Sequence, residues 1–163
     1  MEIDICSSAD LDALCSVEEQ SSFSPWAREV IERDLADDSP YLYLSARAGD
    51  RILGFGVLLK KGKTAELANL AVLPEFRRRG VASQLLVGLA EIAGALGCGR
   101  MNLFVRQSND GAVALYRLFG FTILGRDRQY YADREDALVM EAGLPLRLPS
   151  ENGKNAPAGK FTT

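Results

Sequence analysis

The chain has 163 residues, 47% of them hydrophobic, and a formal net charge of −3. That length supports one substantial core and not two, and the charge lacks the basic footprint that direct nucleic-acid binding requires. Histidine is absent, which excludes Ser-His and Cys-His nucleophiles and any imidazole base.

The start, Met1-Glu2-Ile3-Asp4, carries no charged-then-apolar leader, and no apolar run approaches the ~18 residues of a membrane span; the reading is a cytoplasmic protein with no membrane partner. Residues 2–6 suggest a strand, and 8–19 a helix whose start is marked by Ser8 and Asp10. Ser24 is placed to cap a second helix, with Pro25 in its first turn. Residues 41–47 and 51–60 alternate around Gly49-Asp50 as a hairpin. A strand over 64–72, a helix over 80–96, a strand over 100–106, a helix over 110–118 and strands near 121–127 and 136–142 give a mixed α/β order. From Leu144 onward Pro, Gly, Asn and Lys dominate, which predicts a domain over 1–143 and a disordered tail over 144–163. The three cysteines, Cys6, Cys15 and Cys98, have no CxxC spacing, so neither a disulfide framework nor a metal site is expected.

Between the strand over 64–72 and the following helix lies Arg77-Arg78-Arg79-Gly80-Val81-Ala82-Ser83. A helix opening at glycine offers unpaired N–H groups and the positive end of its dipole, and flanking arginines add charge that forks onto phosphate oxygens. Leu85, Leu89, Ile92 and Leu96 give that helix one buried stripe. Neither GxxxxGK[ST] nor GxGxxG is present, so the local alternative is a basic turn capping a structural helix. Further on, Asn109 is placed as an N-cap, Leu115 and Phe119 as inward residues, and Gly120 as a left-handed stop.

The pattern Arg-x-x-Gly-x-Ala after a strand resembles the acetyl-CoA site of the GNAT superfamily of N-acetyltransferases. The block Val105-Arg106-Gln107-Ser108-Asn109, with Ala112, Ala114-Leu115-Tyr116 and Gly120-Phe121, resembles that family's second signature. Phe23-Ser24-Pro25-Trp26, Arg128-Gln129-Tyr130-Tyr131, Arg134-Glu135-Asp136-Ala137 and Met140 extend the likeness. They point toward the branch that acetylates the N-terminal alanine of a small-subunit ribosomal protein. The match covers residues 2–143. It implies an α/β (α+β) GNAT fold: a mixed, mostly antiparallel sheet, splayed between its fourth and fifth strands and flanked by about four helices. It implies acetyl-CoA as cosubstrate and no metal, with the cofactor along Leu70, Ala71 and Val72 and its diphosphate at Arg77 to Ser83, near Asn109 and Tyr116. Trp26, Tyr130, Tyr131, Arg134 and Glu135 would line the acceptor groove, and the enzyme would act as a monomer or weak dimer.

The chemistry implied is direct attack of an amine on a thioester in a ternary complex. With a pKa near ~8, about a tenth of an α-amine is neutral at pH 7, against a few in ten thousand for lysine near ~10.4. An N-terminal acceptor therefore needs less help from a base. The carbonyl would be polarised by a backbone N–H around Leu70 to Val72, and Tyr116 would protonate the departing thiolate. One position departs from the family: the carboxylate expected just before Val-Arg is Phe104. Glu66 is the substitute base, since a two-residue period puts it on one face with Ala68, Leu70 and Val72; it also reads as a solvated residue at a strand start. Glu135, or a water held by a tyrosine, are further candidates. The alternatives are an acetyltransferase for lysine or a small amine and, because of Phe104, a non-catalytic acyl-CoA-binding module.

Overall fold

The computed structural model describes residues 1–149. Its elements run β1 (Glu2–Ile5), α1 (Leu11–Ser21), α2 (Arg28–Asp34), β2 (Tyr41–Ala48), β3 (Arg51–Lys61), β4 (Thr64–Val72), α3 (Val81–Ala95), β5 (Arg100–Arg106), α4 (Asp110–Leu118), β6 (Thr122–Asp127) and β7 (Ala137–Gly143). The strands form a seven-stranded sheet in the order β1-β2-β3-β4-β5-β7-β6. Every pairing is antiparallel except β4 with β5.

Both faces of the central strands are covered, which is why β3 reads as an almost unbroken apolar run. On one face the fully buried Leu85, Leu86 and Leu89 of α3 pack with Leu58, Leu67, Met101 and Leu103, joined by Phe119 and Phe121 around α4. Burying each such leucine contributes about 1.5–3 kcal/mol. On the other face Leu14 and Val17 of α1 and Ile31 of α2 cover Tyr43, Phe55, Val57 and Ala71. α3 lies so close to β3 that a Cβ on Gly56 would sit 2.5 Å from Leu89 Cδ1, so any larger residue there would have to displace that buried leucine's tip.

The β4–β5 ladder runs only from Thr64/Arg100 to Leu67/Leu103. Past that point β5 continues to pair with β7, while β4 continues to pair with β3. The sheet therefore splits, and among the described residues the β5-facing backbone edge of residues 68–72 has no strand partner. The same strand carries a bulge: Val57 pairs with Asn69 and Leu58 with Leu67, so Ala68 is an extra residue.

Three expectations change. The bulge reverses the alternation, so Glu66 does not share a face with Leu70 and Val72. Ala65 and Leu67 before it, and Leu70 and Val72 after it, all pack with the α3-side core, whereas Ala71 packs with the α1-side core. A one-residue insertion moves every later side chain to the opposite face. Ser24 does not cap α2, whose N-cap is the extended Ala27; Trp26 N donates to Glu18 Oε2 at 3.0 Å and holds the preceding segment out of the helix. The tail does not leave the domain at Leu144. Leu146 is buried, and Leu144 and Leu148 pack against the α3-side core, an alternation that Pro145 and Pro149 hide in the sequence. The remainder of the expected tail, residues 150–163, lies outside the described residues.

Candidate active site

The turn into α3 is shaped by two left-handed residues, Arg78 (φ +62°) and Gly80 (φ +81°). A side chain at Gly80 would meet the steric cost of that region. Alternation of this kind turns successive N–H groups toward one concave side. Among the described residues no side chain caps α3, and the N–H groups of Val81, Ala82 and Ser83 have no partner inside the helix. The side chains of Val81 and Ala82 pack into the core, which leaves their backbone as the part that can meet an anion. The arginine run divides in two. Arg77 donates through Nε to Val72 O at 3.2 Å and through Nη2 to Ser21 O at 2.9 Å, tying the turn to β4 and α1. Arg78 and Arg79 stay exposed, Arg79 lying 5.6 Å over the Phe76 ring. The N–H groups opening α3, the exposed guanidinium groups of Arg78 and Arg79 and the β5-facing edge of residues 68–72 fit a diphosphate followed by an amide-bearing arm.

On the opposite side of the split, a cleft of about 420 Å³ is lined by Trp26, Tyr41, Glu66, Phe104, Tyr130 and Tyr131, with Asp34 among its other residues. The structure thus gathers three of the expected acceptor residues with the expected base. Glu66 accepts from Lys61 Nζ at 2.9 Å through Oε1; Oε2 makes no hydrogen bond among the described residues. Phe104 stacks on Tyr130 with centroids 4.8 Å apart, and Tyr130 meets Tyr131 edge-on at 5.0 Å.

Tyr116 lies behind this cleft and not in its wall. Its ring packs on Phe121 at 5.6 Å, and its hydroxyl makes no hydrogen bond among the described residues. Burial pushes its phenol well above the ordinary tyrosine range, with Tyr131 adding to the shift. The proton therefore stays on the oxygen through neutral pH. Asn109 caps α4, its Oδ1 accepting from Ala112 N at 3.2 Å. Arg134 and Glu135 do not line the cleft. Glu135 instead accepts from Ser108 N at 2.8 Å and Arg106 Nη1 at 3.0 Å, and the hydrogen bonds from Ser108 and then Arg106 hold its carboxyl below the usual range.

Two carboxylates escaped the sequence reading. Glu18 is 1% exposed and accepts from both Trp26 N and Asn69 Nδ2 at 3.0 Å, joining α1, the cleft and β4. Its signal was there: Glu18 continues the stripe Leu11, Leu14, Cys15, so a charged residue sits where apolar ones belong. Asp34 is buried and accepts from Tyr43 OH at 2.8 Å. Among the described residues no group of three or more His, Cys, Asp or Glu could hold a metal ion, and no helix is long and apolar enough to cross a membrane.

Comparison with known proteins gives one answer. The profile of the Acetyltransferase (GNAT) family matches residues 11–121. The [ribosomal protein bS18]-alanine N-acetyltransferase of Salmonella typhimurium is 34% identical over 149 residues, covering 90% of this chain and 98% of that protein. An uncharacterised protein of Mycobacterium leprae is 37% identical over 139 residues, but the chain spans only 38% of its length. The crystal structure of the ribosomal-protein-S18-alanine N-acetyltransferase from Escherichia coli superposes with a TM-score of 0.81 at 28% identity, over 96% of this chain and 98% of that one. The split sheet, the uncapped glycine turn and these likenesses agree: the chain belongs to the GNAT family and is an acetyltransferase.

Proposed function

We propose that the protein is an acetyl-CoA-dependent Nα-acetyltransferase acting on protein N-termini, with the N-terminal alanine of a small-subunit ribosomal protein as acceptor. The observation that carries this is the position of Glu66, in the wall of an aromatic cleft beside the point where β4 and β5 part. An amine in that cleft meets a carboxylate on one side and the thioester, laid along residues 68–72, on the other. The similarity to bS18-alanine N-acetyltransferases over nearly their whole length supports the acceptor class.

The acceptor enters as an ammonium ion, and Glu66, directly or through one water, takes its proton. The freed lone pair attacks the acetyl carbonyl. A backbone N–H near Leu70 to Val72 donates to the carbonyl oxygen as it gains negative charge. When the carbon–sulfur bond breaks, the Tyr116 phenol supplies a proton to the thiolate and regains one from the attacking nitrogen, which sheds its extra proton as the amide forms; the proton first taken by Glu66 then leaves to solvent. No covalent acyl-enzyme is required. We place the reaction in the cytoplasm, carried out by a monomer or weak dimer without direct nucleic-acid contact.

The test is acetylation of short peptides that differ only in a free or blocked α-amine, with lysine and small amines alongside. Transfer only to the free α-amine is the expected result; transfer to lysine or small amines instead would overturn the assignment. Because an α-amine is already about one-tenth neutral at pH 7, Glu66→Gln should lower the rate about tenfold there and recover as pH passes ~8. A loss that is independent of pH would remove Glu66 from the role of base.

A further inference from the structure

Phe104 and Arg106 alternate on the outer face of β5, and each stacks on one tyrosine of the β6–β7 loop. Phe104 takes Tyr130 and Arg106 takes Tyr131, the guanidinium carbon lying 4.1 Å from the ring centroid. On Arg106 a second ring also lies, Phe23 at 4.9 Å, from the loop between α1 and α2. The same Nη1 donates to Asp133 Oδ1 and Oδ2 at 3.0 and 2.9 Å and to Glu135 Oε1 at 3.0 Å. A planar guanidinium can stack on rings and bond carboxylates in its plane at once, which an ammonium cannot.

We propose that Arg106 is a positioning residue that clasps the two loops flanking the cleft, so that the 22–27 and 128–136 segments hold or release an acceptor as one unit. Three features support it. The arginine side chain is only 16% exposed, although it stands at the end of a strand. Phe23 is 79% exposed, so its main described ring contact is this cation and not the core. The segment it belongs to carries Trp26 into the cleft, and the other carries Tyr130 and Tyr131. Among the described residues no hydrogen bond, ion pair or ring contact joins these two segments directly. The inference rests on the cleft being the acceptor site, and its test is chosen to be independent of turnover.

Amide hydrogen exchange on the full chain, for wild type, Arg106→Gln and Phe23→Ala, reads the clasp without substrate. Loss of Arg106 should speed exchange about tenfold or more in both segments while β3 and α3 stay within about twofold. Phe23→Ala should speed exchange about threefold in 128–136, a segment in which it makes no change of sequence. Because Phe23 is exposed, that variant carries the test even if Arg106→Gln loosens the whole fold. Acceleration confined to one segment, or no response of 128–136 to Phe23→Ala, overturns the proposal. With an acceptor peptide, Arg106→Lys should raise KM about tenfold and leave kcat within about threefold; a fall in kcat at constant KM also overturns it. If wild type acetylates no peptide, the functional reading falls and the exchange result still decides the clasp.

Discussion

The proposed cofactor side and the proposed acceptor side of this molecule are built from different materials. Around Gly80 the groups that can meet a ligand are mostly backbone: the N–H groups opening α3 and the bare edge of β4 beyond Leu67. Around the cleft they are side chains held by other side chains, as Glu18 holds Asn69 and Arg106 holds Asp133 and Glu135. A backbone site needs only a local conformation and serves any acyl-CoA in the same way. A side-chain site needs partners far apart in sequence, and it can be retuned one residue at a time.

The sharpest way to break this contrast is at the junction between the sides. Replacing Tyr116 with Phe removes the proposed donor while keeping the ring that packs on Phe121, so kcat should fall roughly 10²- to 10⁴-fold with CoA affinity unchanged. Calorimetric binding beside steady-state rates would expose a mere packing role, in which both change together. Next in size, Gly80→Ala forces a Cβ into the left-handed region at a cost of about 1–2 kcal/mol, and CoA should bind roughly five- to thirtyfold more weakly with acceptor KM unaltered. A shift in acceptor KM of similar size would mean that the sides are not separable.

The smallest effect is on stability at alkaline pH. Burial raises the phenols of both Tyr43 and Tyr116, with the bond to Asp34 adding to the shift in Tyr43. Below about pH 10 the folded and unfolded chains both hold these protons; above it only the folded chain does. Since stability falls with rising pH wherever the native state binds more protons, each group should cost about 1.4 kcal/mol per pH unit above that point. Denaturant unfolding at pH 9 and pH 11 measures the slope, and Tyr116→Phe should make it shallower.

The same contrast explains what could be read from sequence. The strands and most of the helices were visible because each is marked by nearby residues, such as the two-residue turn at Gly49-Asp50, the Asn109 cap and the stripe of α3; the start of α2 was misplaced, since Ser24 precedes its N-cap Ala27. The cradle was legible for the same reason, since Arg77 to Ser83 are contiguous. Yet even there, local reading could not assign Arg77 to the carbonyls of Val72 and Ser21. At the cleft, residue types were legible and geometry was not. Trp26, Glu66, Tyr130 and Tyr131 line one cleft, whereas Arg134 and Glu135 do not, the Glu135 carboxylate being held by Ser108 and Arg106. The bulge at Ala68 left no mark in the sequence, since a pairing offset belongs to two strands and not to one.

That offset works as a phase shift in the strand. Ala65 and Leu67 before Ala68, and Leu70 and Val72 after it, all keep their seat against the α3-side core, while Glu66 faces the cleft and can be exchanged to suit a new acceptor. One supernumerary alanine thus lets a single continuous segment seat both of its ends on the same core while Glu66, between them, stays turned toward the cleft.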